Sequence, residues 1–351
     1  ISVLLLGSLI AYLLDNSAFL LYFLSAGLIV TVWFTRYKIA SKASLTLLLA
    51  LFFVANNLTT VHLFARQKKF SDLVIYSDFT RTNKVDITTW RGNYWYYINN
   101  QNRLSTVDDF LYYEPLVHPA IVMNSSAKDI LVLGGELGGA LKEIVKYEKV
   151  NKVRIVPDDR MLIDKVRSNT FFDKVSSAAW TDPRIEIIEE DIFDYLSGSK
   201  AEYDVIIADL PDPSNLMNNQ YYTQEFFELC VTLLNDKGVF VTQAGSPYFA
   251  TKAYYSIVKT MKTAGFKTRP YHNQILTLGE WGWVIGTKDP YLIKEIGTLS
   301  FTKSKTRWIN HEAMNMMLSF GKLNVDTTGT KINTIKEPVT HKYYTTGNWS
   351  F

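Results

Sequence analysis

Apolar and polar positions fall into three regimes along this chain. Up to about residue 65 they form long apolar runs, Ile1 to Leu14, Ala18 to Phe34 and Ala43 to Phe64, none of which carries Lys or Arg. A bilayer core takes about 20 apolar residues as helix, so the pattern predicts transmembrane helices over 1–65, the first of them cut short. A cleaved leader fits three successive runs poorly. From 70 to 115 the pattern shortens to alternating segments, Leu73–Tyr76, Val85–Thr88 and Tyr94–Ile98, punctuated by Gly92-Asn93 and Asn99-Asn100. This predicts a small antiparallel β-subdomain with tight turns. From 120 to 290 buried-type strands alternate with helical stretches: Asp129–Leu133, Lys152–Val156, Ile185–Ile188, Asp204–Ala208, Gly238–Thr242 and Trp281–Thr287 are the strands. That alternation predicts an α/β domain, a parallel sheet with right-handed crossovers of the Rossmann-like kind. The extension 291–351 is weakly patterned and is expected to pack across the domain or a membrane surface.

Composition narrows the chemistry. A net charge of +3 over 351 residues, with Lys and Arg dispersed, leaves no electrostatic footprint for nucleic acid. The single cysteine, Cys230, lies in an apolar helical run and reads as a buried small hydrophobe, and a lone cysteine forms no intramolecular disulfide. The five histidines show no metal-ligand spacing, so no metal site is expected.

The candidate chemistry gathers at strand ends. Asp204–Ala208 runs directly into Asp209-Leu-Pro-Asp212-Pro213. Ligands of open parallel sheets bind outside the carboxyl ends of the strands, and the two prolines disfavour helix there and stiffen the loop. Two carboxylates so placed suit a cationic substrate, or a nucleophile that must lose a proton. The plainer alternative is a turn with solvated acids. Gly134-Gly135-Glu136-Leu137-Gly138-Gly139 follows the first buried strand, where glycines let the backbone approach a ligand closely. Asp158-Asp159 end the next strand, about 20 residues on, where an acid meets ribose hydroxyls in dinucleotide folds. Glu190-Asp191 end the third. No Gly-Lys-Ser/Thr follows the glycines, so the pattern suits an adenosyl ligand without phosphates.

These blocks, in this order, resemble the polyamine aminopropyltransferases (spermidine synthases), particularly a bacterial membrane-bound branch. Asp108-Asp-Phe-Leu-Tyr112-Tyr-Glu114-Pro-Leu-Val-His118-Pro is similar to the family's D-E-x-x-Y-x-E-x-L-x-H-P block, and the glycine loop to its G-G-G-D-G-G. Glu190-Asp191-Ile-Phe193, Tyr203–Pro213, Tyr222–Phe227, Gly238–Gln243 and Tyr271–Trp283 resemble further family segments. The resemblance covers roughly residues 70 to 290. It implies transfer of an aminopropyl group from decarboxylated S-adenosylmethionine, a co-substrate rather than a tightly bound cofactor, to a diamine such as putrescine. Asp209 is then the base, with Tyr112 beside it. Asp212, Tyr271, Gln243 and Glu280 face the amine. Gly134, Gly135, Glu136, Gly138, Asp158 or Asp159, and Asp191 hold the adenosyl group. A polyamine substrate and a homo-oligomer are the implied partners, alongside the membrane. Methyl transfer from S-adenosylmethionine and a catalytically degenerate, membrane-tethered homologue are the alternatives.

The chain departs from the family at defined positions. Leu137 stands where the family loop has an acid that pairs with the aminopropyl ammonium; Pro157 stands at its ribose acid, with Asp158 one residue late. Tyr113 replaces a Gln or His, and Leu276 a proline. Arg36, Lys38 and Lys42 on one side of the last apolar run balance Arg66, Lys68 and Lys69 on the other, so the positive-inside rule assigns no orientation. The expected location, a multi-pass protein of the cell's inner membrane with a cytoplasmic catalytic domain, rests on the chemistry alone.

Overall fold

A computed structural model describes residues 58–321 and 329–348. The chain divides into two compact units, one ending at Asn100 and the other comprising 80–83 and everything from Gln101. Helix Asp109–Met123 and the described part of the extension 291–351 therefore belong to the second unit.

In the first unit, strands β1 (Leu73–Phe79), β2 (Lys84–Trp90) and β3 (Asn93–Ile98) pair antiparallel. Arg91 and Gly92 both take positive φ, 49° and 77°, as a two-residue hairpin turn of the right hand requires. Helix Leu58–Gln67 precedes the sheet, and the Arg66 guanidinium donates to the buried Asp86 carboxylate.

That helix is what the structure describes of the third apolar run. It runs to Gln67 with Arg66 in its last turn, and residues 43–57 of that run lie outside the described residues. Among the described residues no helix is long and apolar enough to cross a membrane. The first two runs lie outside the described residues. The expected multi-pass inner-membrane location with a cytoplasmic catalytic domain is corrected on that finding.

The second unit carries the short strand β4 (Gln101–Ser105) and is built around a sheet of strands β5 (Asp129–Gly134), β6 (Lys152–Val156), β7 (Ile185–Ile187), β8 (Tyr203–Asp209), β9 (Leu234–Gly245), β10 (Lys267–Ile275) and β11 (Gly279–Thr287). Their spatial order is β10-β11-β9-β8-β5-β6-β7. β5 to β9 run parallel, while β11 lies antiparallel to β9 and to β10. Ile130 to Leu133 and Val205 to Ala208 are fully buried, which is why both strands read as unbroken apolar runs. From β5 the chain winds outward through β6 and β7, then returns to the other side of β5 as β8. The switch point, where open sheets bind their ligands, lies between the carboxyl ends of β5 and β8. β10 is an edge strand, which tolerates Pro270.

Helix Asp109–Met123 is buried on nearly all sides and contains Pro115 and Pro119. Proline has no N–H, so the carbonyls four residues earlier, those of Leu111 and Pro115, lose their helical donors. Strand β10 replaces both. The Asn273 amide donates to the Leu111 carbonyl at 3.1 Å, and the Tyr271 hydroxyl donates to the Pro115 carbonyl at 2.8 Å. Both side chains are buried. Tyr271→Phe strands the Pro115 carbonyl in the core and should cost about 1–3 kcal/mol; a urea melt reads this as a lower midpoint at unchanged slope. An unchanged midpoint would show that the carbonyl is satisfied without Tyr271.

Candidate active site

The glycine loop and the acidic loop meet at the switch point. Gly134 and Asp209 are registered partners at the ends of β5 and β8, and the Gly135 N–H donates to the Asp209 carbonyl at 2.9 Å. Gly134 has φ 74°, and a Cβ there would sit 2.4 Å from that same carbonyl oxygen. Only glycine lets the two strand ends close this tightly. A Cβ on Gly135 would lie 3.7 Å from Asp209 Oδ2, so the Asp209 carboxylate faces the glycine turn.

Around Asp209 the second unit assembles a polar cluster. Tyr112, from helix Asp109–Met123, donates its hydroxyl to Asp209 Oδ1 at 3.0 Å. Burial raises the Asp209 carboxyl; the Tyr112 hydroxyl and the Arg103 charge pull it back down and Asp212 pushes it up, leaving it at about 6. Asp212 is held on both oxygens: Arg103 Nη1 lies 2.5 Å from Oδ2, and Gln243 Nε2 donates to Oδ1 at 3.1 Å. The Gln243 amide also donates to the Leu210 carbonyl at 3.1 Å and accepts from the Gly245 N–H at 2.9 Å. The Tyr222 hydroxyl donates to the Pro211 carbonyl at 3.0 Å. Residues 209–213 are thus clamped from β9 and from the helix-capping segment at 222. Tyr344, in helix Thr340–Thr345, hydrogen-bonds Asp212 as well, and burial, followed by Asp212, raises its phenol.

A second group of acids lies at the ends of β6 and β7. Glu136 is buried and accepts from the N–H groups of Asp158, at 2.6 Å, and Asp159, at 3.1 Å. Burial first, and Asp158 next, raise its carboxyl to about 8. Asp159 caps helix Arg160–Ser168 through the Leu162 N–H and takes further bonds from Thr80 and from Asn83. Asp158 accepts from the Tyr221 hydroxyl on Oδ1; its pKa is raised, chiefly by burial. Asp191 is exposed and caps helix Ile192–Gly198 through the Phe193 N–H at 2.8 Å. The charges of Glu136, Asp158 and Asp191 are all felt at Tyr221, which places these acids together.

The structure brings Asp209, Tyr112, Asp212, Gln243, Gly134 and Gly135 into one cluster. The adjoining group contains Glu136, Asp158, Asp159 and Asp191. Gly138 opens helix Gly139–Ile144 with φ 79°. Tyr271 stacks on Trp283, ring centres 5.7 Å apart, and Trp283 touches the Tyr112 ring. The Tyr271 hydroxyl is committed to the helix. Glu280 pairs with His272. Leu137 is buried, 8% exposed. Arg103 is absent from the sequence-derived set. Its partner Asp212 is 109 residues away, and no local pattern signals such a pairing.

Among the described residues Glu114, His118 and Glu143 come close enough to share an ion, but their atoms are already engaged. Glu114 accepts from the N–H groups of Arg307, Trp308 and Ile309. His118 is held between Tyr147 and Glu143, and Glu143 also pairs with Lys146. A polar groove of about 500 Å³ lined by Asp204, Asn235 and Lys237 opens at the opposite end of β8, one strand length from Asp209.

Sheet order, switch point and glycine turn define a Rossmann-like protein of the methyltransferase type. The chain belongs to the spermine/spermidine synthase family: residues 109–298 match the spermine/spermidine synthase domain. It is similar to polyamine aminopropyltransferase 2 of Aquifex aeolicus, 31% identical over 81% of this chain and 56% of that protein. It is also similar to the polyamine aminopropyltransferase of Oceanobacillus iheyensis, 30% identical over 78% of this chain and 53% of that one. The chain spans about half the length of these relatives. A spermidine synthase crystallised with the transition-state analogue AdoDATO shares the fold, with a TM-score of 0.64 at 24% identity over 71% of this chain and 85% of that chain. The spermidine synthase of Thermotoga maritima does likewise, with a TM-score of 0.62 at 24% identity over 71% and 84%.

Proposed function

We propose that this protein transfers the aminopropyl group of decarboxylated S-adenosylmethionine to a primary amine, putrescine being the acceptor that the family resemblance supplies. The observation that carries the reading is the meeting of Asp209 with the glycine turn at the switch point of the sheet. An amine of pKa about 10 is cationic near neutral pH and has no lone pair to offer until it gives up a proton. Asp209, with a carboxyl at about 6, is ionised at pH 7 and basic enough to take it. The freed nitrogen lone pair forms a bond to the aminopropyl carbon attached to sulfur. The C–S bond breaks, its electron pair neutralises the sulfonium, and methylthioadenosine leaves.

In this reading Tyr112 orients Asp209 through its 3.0 Å hydrogen bond. Asp212 and Gln243 hold the loop that presents the base. Asp158 takes the ribose, since Asp159 and Glu136 are committed to protein donors. Asp191 reads the adenine amino group. Tyr271 acts by fixing the helix that carries Tyr112. Glu280 and its partner His272 stand at the amine side. Leu137 offers no charge to the aminopropyl ammonium, so the donor is held by its nucleoside.

The test is a product assay by mass spectrometry with decarboxylated S-adenosylmethionine, S-adenosylmethionine and a panel of amines. Methylthioadenosine and an aminopropylated amine, formed only with the decarboxylated donor, are expected. A methylated product, or none with either donor, would overturn the assignment.

A further inference from the structure

We propose that Tyr344, from helix Thr340–Thr345 of the C-terminal extension, forms the end wall of the acceptor site and limits the length of the diamine it takes. The inference rests on the transfer reading above and deepens it. In that reading the acidic loop has a direction. Asp209 faces the glycine turn, where the donor lies, and accepts from Tyr112. Asp212 lies further along the loop and meets the far end of the acceptor. A carboxylate has about four acceptor positions. Arg103, Gln243 and Tyr344 take three at Asp212. The fourth receives an ammonium, and Glu280 is a further acid on the amine side.

The Tyr344 ring therefore stands at the Asp212 end of the loop. Its hydroxyl touches the acid, and its edge touches the end of β9: a Cβ on Gly245 would lie 3.1 Å from Tyr344 Cε2. Behind it lie Ala250 and Ala253. None of these neighbours has a side chain long enough to fill the space if the ring were removed. The wall is also fixed in depth. The buried Asn333 accepts from the N–H groups of Val339, at 2.9 Å, and Thr340, at 3.2 Å, and donates to the Tyr222 carbonyl at 2.9 Å. Asn219 accepts from the His341 N–H at 2.9 Å. Tyr222 in turn holds the Pro211 carbonyl, so helix and acidic loop share one frame. With the reacting nitrogen at Asp209, a longer acceptor must buckle or press into the ring.

The experiment sets 1,4-diaminobutane against 1,6-diaminohexane, acceptors of equal charge that differ in reach. With decarboxylated S-adenosylmethionine, kcat/KM of the full chain is expected to favour the shorter diamine at least about tenfold, the least that misfit of a methylene costs in a shaped pocket. Tyr344→Leu, which is shorter but still packs on the two alanines, should shift that ratio toward the longer diamine by about tenfold. Tyr344→Ala should shift it at least as far; should that variant fail to fold, Tyr344→Leu decides. Tyr344→Phe keeps the wall and should keep the wild-type ratio. Tyr343→Ala, next in the same helix, loosens a hydrogen bond to the Gly329 carbonyl and should keep the ratio too, whereas a merely structural role for the helix would move both tyrosines' variants alike. Calorimetric titration of both diamines in the presence of methylthioadenosine gives the same comparison without turnover. If neither diamine is turned over while calorimetry ranks the shorter first and Tyr344→Leu levels the ranking, the transfer reading falls and the wall stands. A wild type that does not rank the two diamines, or a ranking that Tyr344→Leu leaves unchanged, overturns the wall, whichever readout supplies it.

Discussion

Asp209→Asn should abolish aminopropyl transfer and at the same time raise stability at neutral pH. The loss follows from the chemistry: an amide cannot take the proton of an incoming ammonium, and a positioned base contributes about 10²–10⁴-fold. The gain follows from linkage. The Asp209 carboxyl moves from 3.8 to about 6 in the folded protein, chiefly through burial. Between those values the folded state retains a proton that the unfolded chain has released. Stability therefore falls as pH rises through that window, and it stays lowered above about 6. At about 1.4 kcal/mol per pKa unit the penalty is about 1–3 kcal/mol, allowing for the partial solvent access of the side chain. Asparagine carries no such penalty and still accepts from Tyr112. Thermal melts at pH 4 and pH 8 should show the variant level with the wild type at the lower pH and more stable at the higher. A variant less stable at pH 8 would mean that the carboxylate is a net structural asset. Retained turnover would remove it from the role of base.

Gly134→Ala should be strongly destabilising. Its φ of 74° is strained for any L residue, and its Cβ would meet the Asp209 carbonyl oxygen at 2.4 Å. The first effect costs about 1–2 kcal/mol. The second forces apart the strand ends that hold Asp209 and the turn in register, so a total of at least about 3 kcal/mol is expected. That corresponds to a fall in melting temperature of roughly 6–12 °C for a domain of this size. Gly92→Ala is the control: its φ is 77°, but nothing lies within 4 Å of the added Cβ. It should show the backbone term alone. Equal effects at the two positions would show that the contact with β8 contributes nothing.

Much of this architecture can be read from sequence, for identifiable reasons. β5 and β8 are legible because burial on both faces leaves only apolar residues, Ile130 to Leu133 and Val205 to Ala208. The glycine turn and Asp209 follow from them as the segments next to their ends. Helix Asp109–Met123 is not legible: burial on nearly all sides erases amphipathic periodicity, and Pro115 and Pro119 argue locally against helix. β10 escapes as well, since Arg269, Pro270 and His272 interrupt its alternation at a sheet edge. The acids of β6 are an intermediate case. Their position is plain, but which one is committed to protein depends on Thr80 and Asn83, whose distance along the chain hides their part. Arg103 is the limiting case, because a long-range ion pair leaves no trace in spacing.

The two prolines of helix Asp109–Met123 have a mechanical consequence. A helix missing two rungs one turn apart would ordinarily bend there, and Tyr112 would swing with it. Here Tyr271 and Asn273 lend those rungs from a neighbouring strand. Tyr112, whose hydroxyl donates to the Asp209 carboxylate, is therefore braced by the edge hairpin as well as by its own helix, and loosening that hairpin would disturb this hydrogen bond from a distance.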